Sequence, residues 1–275
     1  MSQTLDLPIG AISEDGCLAF STQADLDSAL DVGAFYLKVP EDLSLECARH
    51  FGMSLLDPNS PHRDVPQYGE LEGFIALDNN QQTKLALRRH RWAKHYPDDI
   101  ARFGGQLDAI GVAIIREIFR QSAIPEAYWD RASGGYASGE GTAFLNFVHY
   151  DTRTTDWGLR AHTDYGFVTI LDAMAPGLQI ELEGEFHDVP VLPGHFVINF
   201  GEALNFVTSY AARGVGAVVH RVLSQQPADS IRPGIVYFAN PDLDGMLWQF
   251  DINGKTRGSS SVEDLFASLE RELTE

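Results

Sequence analysis

Apolar residues recur along this chain with two periods, and the change comes near residue 140. Before it, helical spacing dominates. Ile100, Phe103, Leu107, Ile110, Ile114 and Ile118 return at steps of three and four, which predicts one apolar face on a long helix. Pro97, Asp98 and Asp99 stand at its start, where a fixed φ and acidic side chains suit unpaired N–H groups. Shorter patterns predict a helix over 25–32, a strand over 34–38 and a helix from Pro40 to about Phe51. After residue 140, short apolar runs alternate with Gly and Pro punctuation such as Ala175-Pro176-Gly177 and Pro193-Gly194. They predict strands over 143–150, 158–163, 167–172, 178–183, 186–192, 195–200, 217–223 and 231–238, then a closing helix over 262–273. So many short strands predict a sandwich or barrel. With no repeat, low-complexity tract or linker, the expected organisation is one compact unit: a mainly helical portion over 1–140, a β core over 141–260 and a C-terminal helix over 261–275.

Composition changes the picture in three places. The 275 residues are 44% hydrophobic and 21% charged, near the globular average, so most of the chain is expected to fold. Twenty basic against thirty-nine acidic side chains give a formal charge of −19, a field that repels phosphate backbones and anionic membranes, so no nucleic-acid or membrane partner is expected. No apolar run is long enough for a transmembrane helix, and the first residues carry no secretory signal pattern. Cys17 and Cys47, the only cysteines, fit a reducing compartment, with the cytoplasm as the expected location. Arg88, Arg89 and Arg91 cluster with histidines and read as a solvated helix face.

Candidate chemistry starts from histidine and carboxylate. Oxygen-activating iron(II) sites often use two histidines and one carboxylate on one side of the metal. Residues i and i+2 of a strand point to the same side, so His-X-Asp supplies two such ligands compactly. His162-Thr163-Asp164 has that form, but roughly one His-X-acid is expected by chance in such a composition, and motif matches are only hypotheses. A second match, His62-Arg63-Asp64, lies in the turn-rich stretch DPNSPHRDVPQYG without a third ligand on a nearby strand, and reads as a loop. The 162–164 pair is followed by Tyr165-Gly166 and an apolar strand. Downstream, His220 shares a strand face with Val218 and Val222. Arg232 follows, pointing the same way as Gly234, Val236 and Phe238. A guanidinium on an apolar inward face needs a carboxylate, and a bound dicarboxylate would supply one. Arg153 and Arg160 precede the motif and read as surface residues. His149, His187 and His195 read as structural or exposed.

The constellation resembles the non-haem iron(II)/2-oxoglutarate-dependent dioxygenases, in their isopenicillin N synthase-like branch. The segment Ala161 to Leu171 (AHTDYGFVTIL) is similar to that family's first ligand motif, Gly177-Leu178-Gln179 to its following turn, and Pro193 to Glu202 (PGHFVINFGE) to its Pro-Gly…Asn-X-Gly-Asp stretch. His220-Arg221-Val222 resembles the second histidine motif, and Ala29 to Leu37 its N-terminal Gly-Phe-Phe strand. The resemblance implies a mainly β fold with flanking helices around a distorted double-stranded β-helix, or jelly roll. It implies His162, Asp164 and His220 as iron ligands and catalytic centre, Arg232 on the distal carboxylate of 2-oxoglutarate, and Tyr150 beside that co-substrate. The implied activity is oxidation, in the first instance hydroxylation, of an unactivated C–H bond of a small organic metabolite by dioxygen, with succinate and carbon dioxide released. One departure stands out: the family's serine two residues after the arginine is Gly234. It keeps open a same-fold iron oxidase that uses no 2-oxoglutarate, with Arg232 gripping the substrate's carboxylate. A non-catalytic jelly-roll binding protein is the alternative from another class.

Overall fold

The computed structural model describes residues 4–69, 71–77, 82–151, 157–223 and 231–272. Fifteen strands are present among them: β1 (Ile9–Ile12), β2 (Leu18–Phe20), β3 (Ala34–Lys38), β4 (Gly73–Leu77), β5 (Gln82–Arg88), β6 (Thr142–Asp151), β7 (Trp157–His162), β8 (Val168–Ala173), β9 (Leu178–Leu182), β10 (Glu185–Asp188), β11 (His195–Phe200), β12 (His220–Leu223), β13 (Ile231–Asn240), β14 (Met246–Phe250) and β15 (Thr256–Ser261). Nine form one large sheet in the order β2-β1-β3-β11-β8-β13-β6-β5-β4, and β10-β9-β12-β7 form a smaller one. The long helix runs Asp98–Gln121, and the six apolar residues of its predicted face are all buried.

Register decides what each face of the large sheet does. Leu87, Leu145, Tyr237, Ile170 and Ile198 align across β5, β6, β13, β8 and β11, and all join the main core with the long helix. Their strand neighbours point the other way, as a period of two requires. On that inner face Tyr36, Val197 and Leu171 join a second apolar cluster with Leu178, Ile180, Val218 and Val222 from the smaller sheet side. The two facing layers make the double-stranded β-helix, with its polar site at one end of this inner cluster. β13 is bonded to β6 over its whole length, from Ile231 to Asn240, but to β8 only from Gly234 to Ala239. Pro233, which has no N–H to donate, falls just outside the β8 ladder.

Two ion-paired groups fasten helices to the back of the sheet. Asp172 on β8 is 2% exposed and takes a two-pronged fork from Arg49 of the helix Leu45–Ser54, at 2.8 Å on both oxygens. Asp108 on the long helix accepts from the hydroxyls of Tyr237 (2.5 Å) and Tyr136 (3.1 Å), and from Arg89.

The portion before residue 140 carries five α-helices, and with them β1 to β5, which supply five of the nine strands of the large sheet. The alternation Lys84-Leu85-Ala86-Leu87 marks β5, but it runs straight into the helix Arg89–His95 and is masked by it. Two other expectations are corrected. The arginine cluster is not a solvated face. Arg88 and Arg91 both pair with the buried Glu72, at 3.3 and 2.9 Å, while Arg89 reaches Asp108 and the carbonyls of Glu140 and Gly141. The strand expected over 186–192 ends at Asp188, with Pro190 two residues on. Among the described residues, no helix is long and apolar enough to cross a membrane.

Removing Arg49 strands a buried carboxylate. Arg49→Met is therefore expected to lower stability by about 2–3 kcal/mol, below the usual cost of breaking a fully buried pair because Arg49 is partly solvated. A urea midpoint unchanged from wild type would show that the fork contributes nothing.

Candidate metal centre

His162 ends β7 and His220 begins β12, and the register sets them directly opposite one another. Their rings lie 4.4 Å apart between centroids. Asp164 follows β7 by two residues, and its carboxylate oxygens lie 3.7 Å from His162 Nε2 and 3.8 Å from His220 Nε2. One ligand atom from each of the three falls within 4.8 Å of the others, and among the described residues this is the one such group of metal-ligating side chains. Among the described residues, no Lys or Arg pairs with Asp164 to explain the cluster as an ion pair. Two neutral imidazoles around one carboxylate make a site for a divalent ion.

The surroundings aim these atoms. Nδ1 of His162 is 2.8 Å from the Arg160 carbonyl oxygen, and Nδ1 of His220 is 3.2 Å from that of Val218. Each backbone acceptor holds the Nδ1–H, so both Nε2 lone pairs face the shared point. Burial, with His220 close by, pushes the His162 imidazole below its ordinary pKa, favouring the neutral ring that a metal requires. Asp164 Oδ2 accepts from Thr169 Oγ1 at 2.5 Å and from Asn199 Nδ2 at 3.2 Å. Those two donors stand side by side, since Asn199 on β11 pairs with Thr169 on β8. The turn carrying Asp164 is packed against the start of the helix Glu202–Thr208: Gly201 is needed there, as a Cβ would stand 2.6 Å from the Asp164 carbonyl and 2.4 Å from that of Gly166.

Arg232 is 5% exposed on the same inner face. Its Nε donates to the Pro176 carbonyl at 3.0 Å, and its guanidinium carbon sits 5.9 Å from the ring of Tyr150, its cross-strand partner. Nη2 is buried with no hydrogen-bond partner. Burial pulls its pKa down, and no carboxylate among the described residues restores it. A buried guanidinium N–H without a partner is costly, and an acidic group would relieve that cost. Gly234, two residues on, faces the same way, and a Cβ there would stand 3.3 Å from Val148 Cγ2.

The other histidines lie apart. His62, in the short helical turn Pro61–Asp64, packs its ring on Phe51 at 4.8 Å. His149 is buried on the outer face, and His195 lies edge-on to Tyr36. Arg160 is exposed, and Arg153 lies outside the described residues. Thr169 and Asn199 were not singled out as site residues from sequence. Their signal is a single hydroxyl and a single amide inside the otherwise apolar runs FVTIL and FVINF.

Residues 140–241, which carry His162, Asp164, His220, Arg232, Thr169 and Asn199, match the family model of the 2OG-Fe(II) oxygenase superfamily. Over that segment the chain is similar to this superfamily. A curated relative, 1-aminocyclopropane-1-carboxylate oxidase 1 from Oryza sativa subsp. japonica, is 29% identical over 189 residues, covering 62% of this chain and 57% of the relative. The chain thus spans about half the length of the curated relatives it matches. Among solved structures, the rice dioxygenase for auxin oxidation superposes with a TM-score of 0.76 at 18% identity, covering 98% of this chain and 96% of that one. The dioxygenase for auxin oxidation 1 from Arabidopsis thaliana, solved as a binary complex with 2-oxoglutarate, gives 0.68 at 18% identity, covering 87% of this chain and 94% of that one. At such identities these likenesses show a shared fold.

Replacing His162, Asp164 or His220 by Ala is expected to abolish tight binding of iron(II), whereas His62→Ala leaves it unchanged. Thr169→Val removes one donor to Asp164 and is expected to weaken metal binding by about tenfold or more. Anaerobic titration of iron(II) against each variant checks both statements, and loss of metal in His62→Ala would refute the assignment.

Proposed function

We propose that this chain is an iron(II)- and 2-oxoglutarate-dependent oxygenase that hydroxylates an unactivated C–H bond of a small organic metabolite. The observation that carries the reading is the buried Arg232 with its unpartnered Nη2, placed in one interior with the His162, Asp164 and His220 cluster. The solved relative that holds 2-oxoglutarate supports it.

His162, Asp164 and His220 would hold iron(II), and Arg232 the distal carboxylate of 2-oxoglutarate, with Tyr150 alongside. When bound, iron and 2-oxoglutarate activate dioxygen and supply the oxidising power for C–H cleavage, releasing succinate and carbon dioxide. The chain's own part is placement and dryness. Thr169 and Asn199 fix the Asp164 carboxylate, and the backbone carbonyls behind His162 and His220 keep both rings in the ligating tautomer. Val218, Val222, Leu178 and Ile180 form the apolar wall that excludes water beside His220. Arg232 gains a full ion pair only when a carboxylate arrives, so its burial favours an acidic co-substrate over neutral competitors.

A second reading is favoured by one position. Gly234 lacks the hydroxyl that superfamily members place beside the arginine, and the curated relative is an oxidase. In that reading the chain is an iron oxidase without 2-oxoglutarate, and Arg232 holds a different carboxylate.

The deciding experiment is anaerobic addition of iron(II) with and without 2-oxoglutarate. The first reading expects the weak visible charge-transfer band of the chelate in the wild type, and in Arg232→Gln a co-substrate requirement raised about tenfold or more at unchanged iron affinity. A band indifferent to Arg232 would favour the second reading. Gly234 is tested separately. Gly234→Ser alone is expected to change 2-oxoglutarate affinity little, because the new Cβ presses on Val148. In a Val148→Ala background the same serine is expected to tighten it about tenfold, the effect of one added hydrogen bond to a charged group. No gain in the double variant would show that the glycine serves a different pose.

A further inference from the structure

Lys84 is a charged side chain that the site described so far leaves unused. It lies on β5, between Thr83 and Leu85. Leu85 and Leu87 go into the main core with the helices, so Lys84 and Ala86 face inward. The register then sets Lys84 opposite Val148, and Val148 opposite Gly234, in one row across the inner face. The next row holds Tyr150 and Arg232. Lys84 is half-buried, and burial alone pulls its ammonium below the ordinary lysine value: no carboxylate among the described residues opposes that pull.

This lack of a partner is informative in a chain with thirty-nine acidic residues. Among the described residues, the buried carboxylates packed on the sheet's outer side are answered: Asp172 by Arg49, Glu72 by Arg88 and Arg91, and Asp108 by Arg89. Lys84 shares with Arg232 the condition of an inward-facing cation without an anion. The two sit two strand spacings apart, about 10 Å across the sheet, and one row apart along it. Arg232 is already assigned to one carboxylate, so Lys84 addresses another. Asn146 lies on the same face in the neighbouring row, opposite Ala86, and its side-chain oxygen is buried without a partner. An amide beside an ammonium suits an acid that also carries a hydrogen-bonding group. A lone ammonium without a second cation matches one negative charge better than the two of a phosphate ester.

We propose that Lys84 is the residue that selects the organic substrate, and that this substrate is a small monocarboxylic acid whose carboxylate it grips, with Asn146 alongside. The inference rests on the oxygenase reading above for the existence of a second substrate. It names the class of that substrate and the side of the pocket, towards β5, from which its acid end is held.

The test uses phenylacetate, cyclohexanecarboxylate and octanoate, each beside its methyl ester. Binding is followed by ligand-observed NMR, on the metal-free chain and on the chain loaded anaerobically with iron(II) and saturating 2-oxoglutarate. At least one acid is expected to bind about tenfold or more tightly than its ester. Lys84→Met, which keeps an apolar stem of similar length, is expected to bring acid and ester level, and Lys84→Arg to restore part of the preference. Thermal unfolding of both variants checks that the chain is intact. Equal binding of every acid and ester in the wild type overturns the proposal, as does a preference that survives in Lys84→Met. Loss of 2-oxoglutarate rather than of the acid in Lys84→Met also overturns it, by assigning Lys84 to the co-substrate. Failure of the underlying reading looks different: the charge-transfer band then never forms in the wild type, whatever the acids do.

Discussion

The whole arrangement depends on the pairing of one central strand. β13 is bonded to β6 through ten consecutive residues and to β8 through six. Its odd-numbered members Ile235, Tyr237 and Ala239 go to the helical core, and its even-numbered members Arg232, Gly234 and Val236 go to the inner face. A slip of one residue would exchange the two sets, placing a guanidinium against the long helix and an aromatic ring in the pocket. Burial of Tyr237 on Asp108 and of Ile235 in the main core therefore does two things together. It holds the sheet, and it fixes the direction in which Arg232 faces.

The same economy appears at Asp164. Its carboxylate takes hydrogen bonds from Thr169 and Asn199, which belong to neighbouring strands of the large sheet, while the two histidines belong to the smaller one. The metal-ligating cluster thus sits at the seam between two sheets, and each sheet contributes part of its geometry. Cross-sheet packing of Leu171 and Val197 against Val218 and Val222 sets the distance between them. Changes in that apolar layer would be felt as altered ligand spacing without touching a ligand.

The jelly-roll half was legible in the sequence because its strands are short, apolar and separated by Gly and Pro. Of the N-terminal strands only β3 was, at the bounds expected. β1 and β2 have four and three residues and gain their order from β3, an interaction that no local window contains. The arginine cluster misled for a similar reason: Glu72 and Asp108, which neutralise it, are distant in sequence, and only folding shows that the charges are spent inside. His162 and Asp164 were separable from the false match at His62 and Asp64 through their context of strands and a third ligand. Arg232 was readable as an inward charge. Thr169 and Asn199 were visible only as isolated polar letters, since which carboxylate they serve depends on how β8, β11 and the turn after β7 meet. Lys84 required the register of β5, which was itself unread.

Pro233 marks the point at which β13 and β8 part. Between Gly234 and Ala239 the wall formed by β13 and β8 is closed by hydrogen bonds, whereas from Ile231 to Pro233 the two strands are not laddered. A residue with an N–H at 233 could extend the closure by a rung, but a pyrrolidine ring cannot. The gap is spanned instead by the turn holding Pro176, whose carbonyl takes the Nε of Arg232. The guanidinium of Arg232 thereby also serves as a latch between the end of β8 and the start of β13.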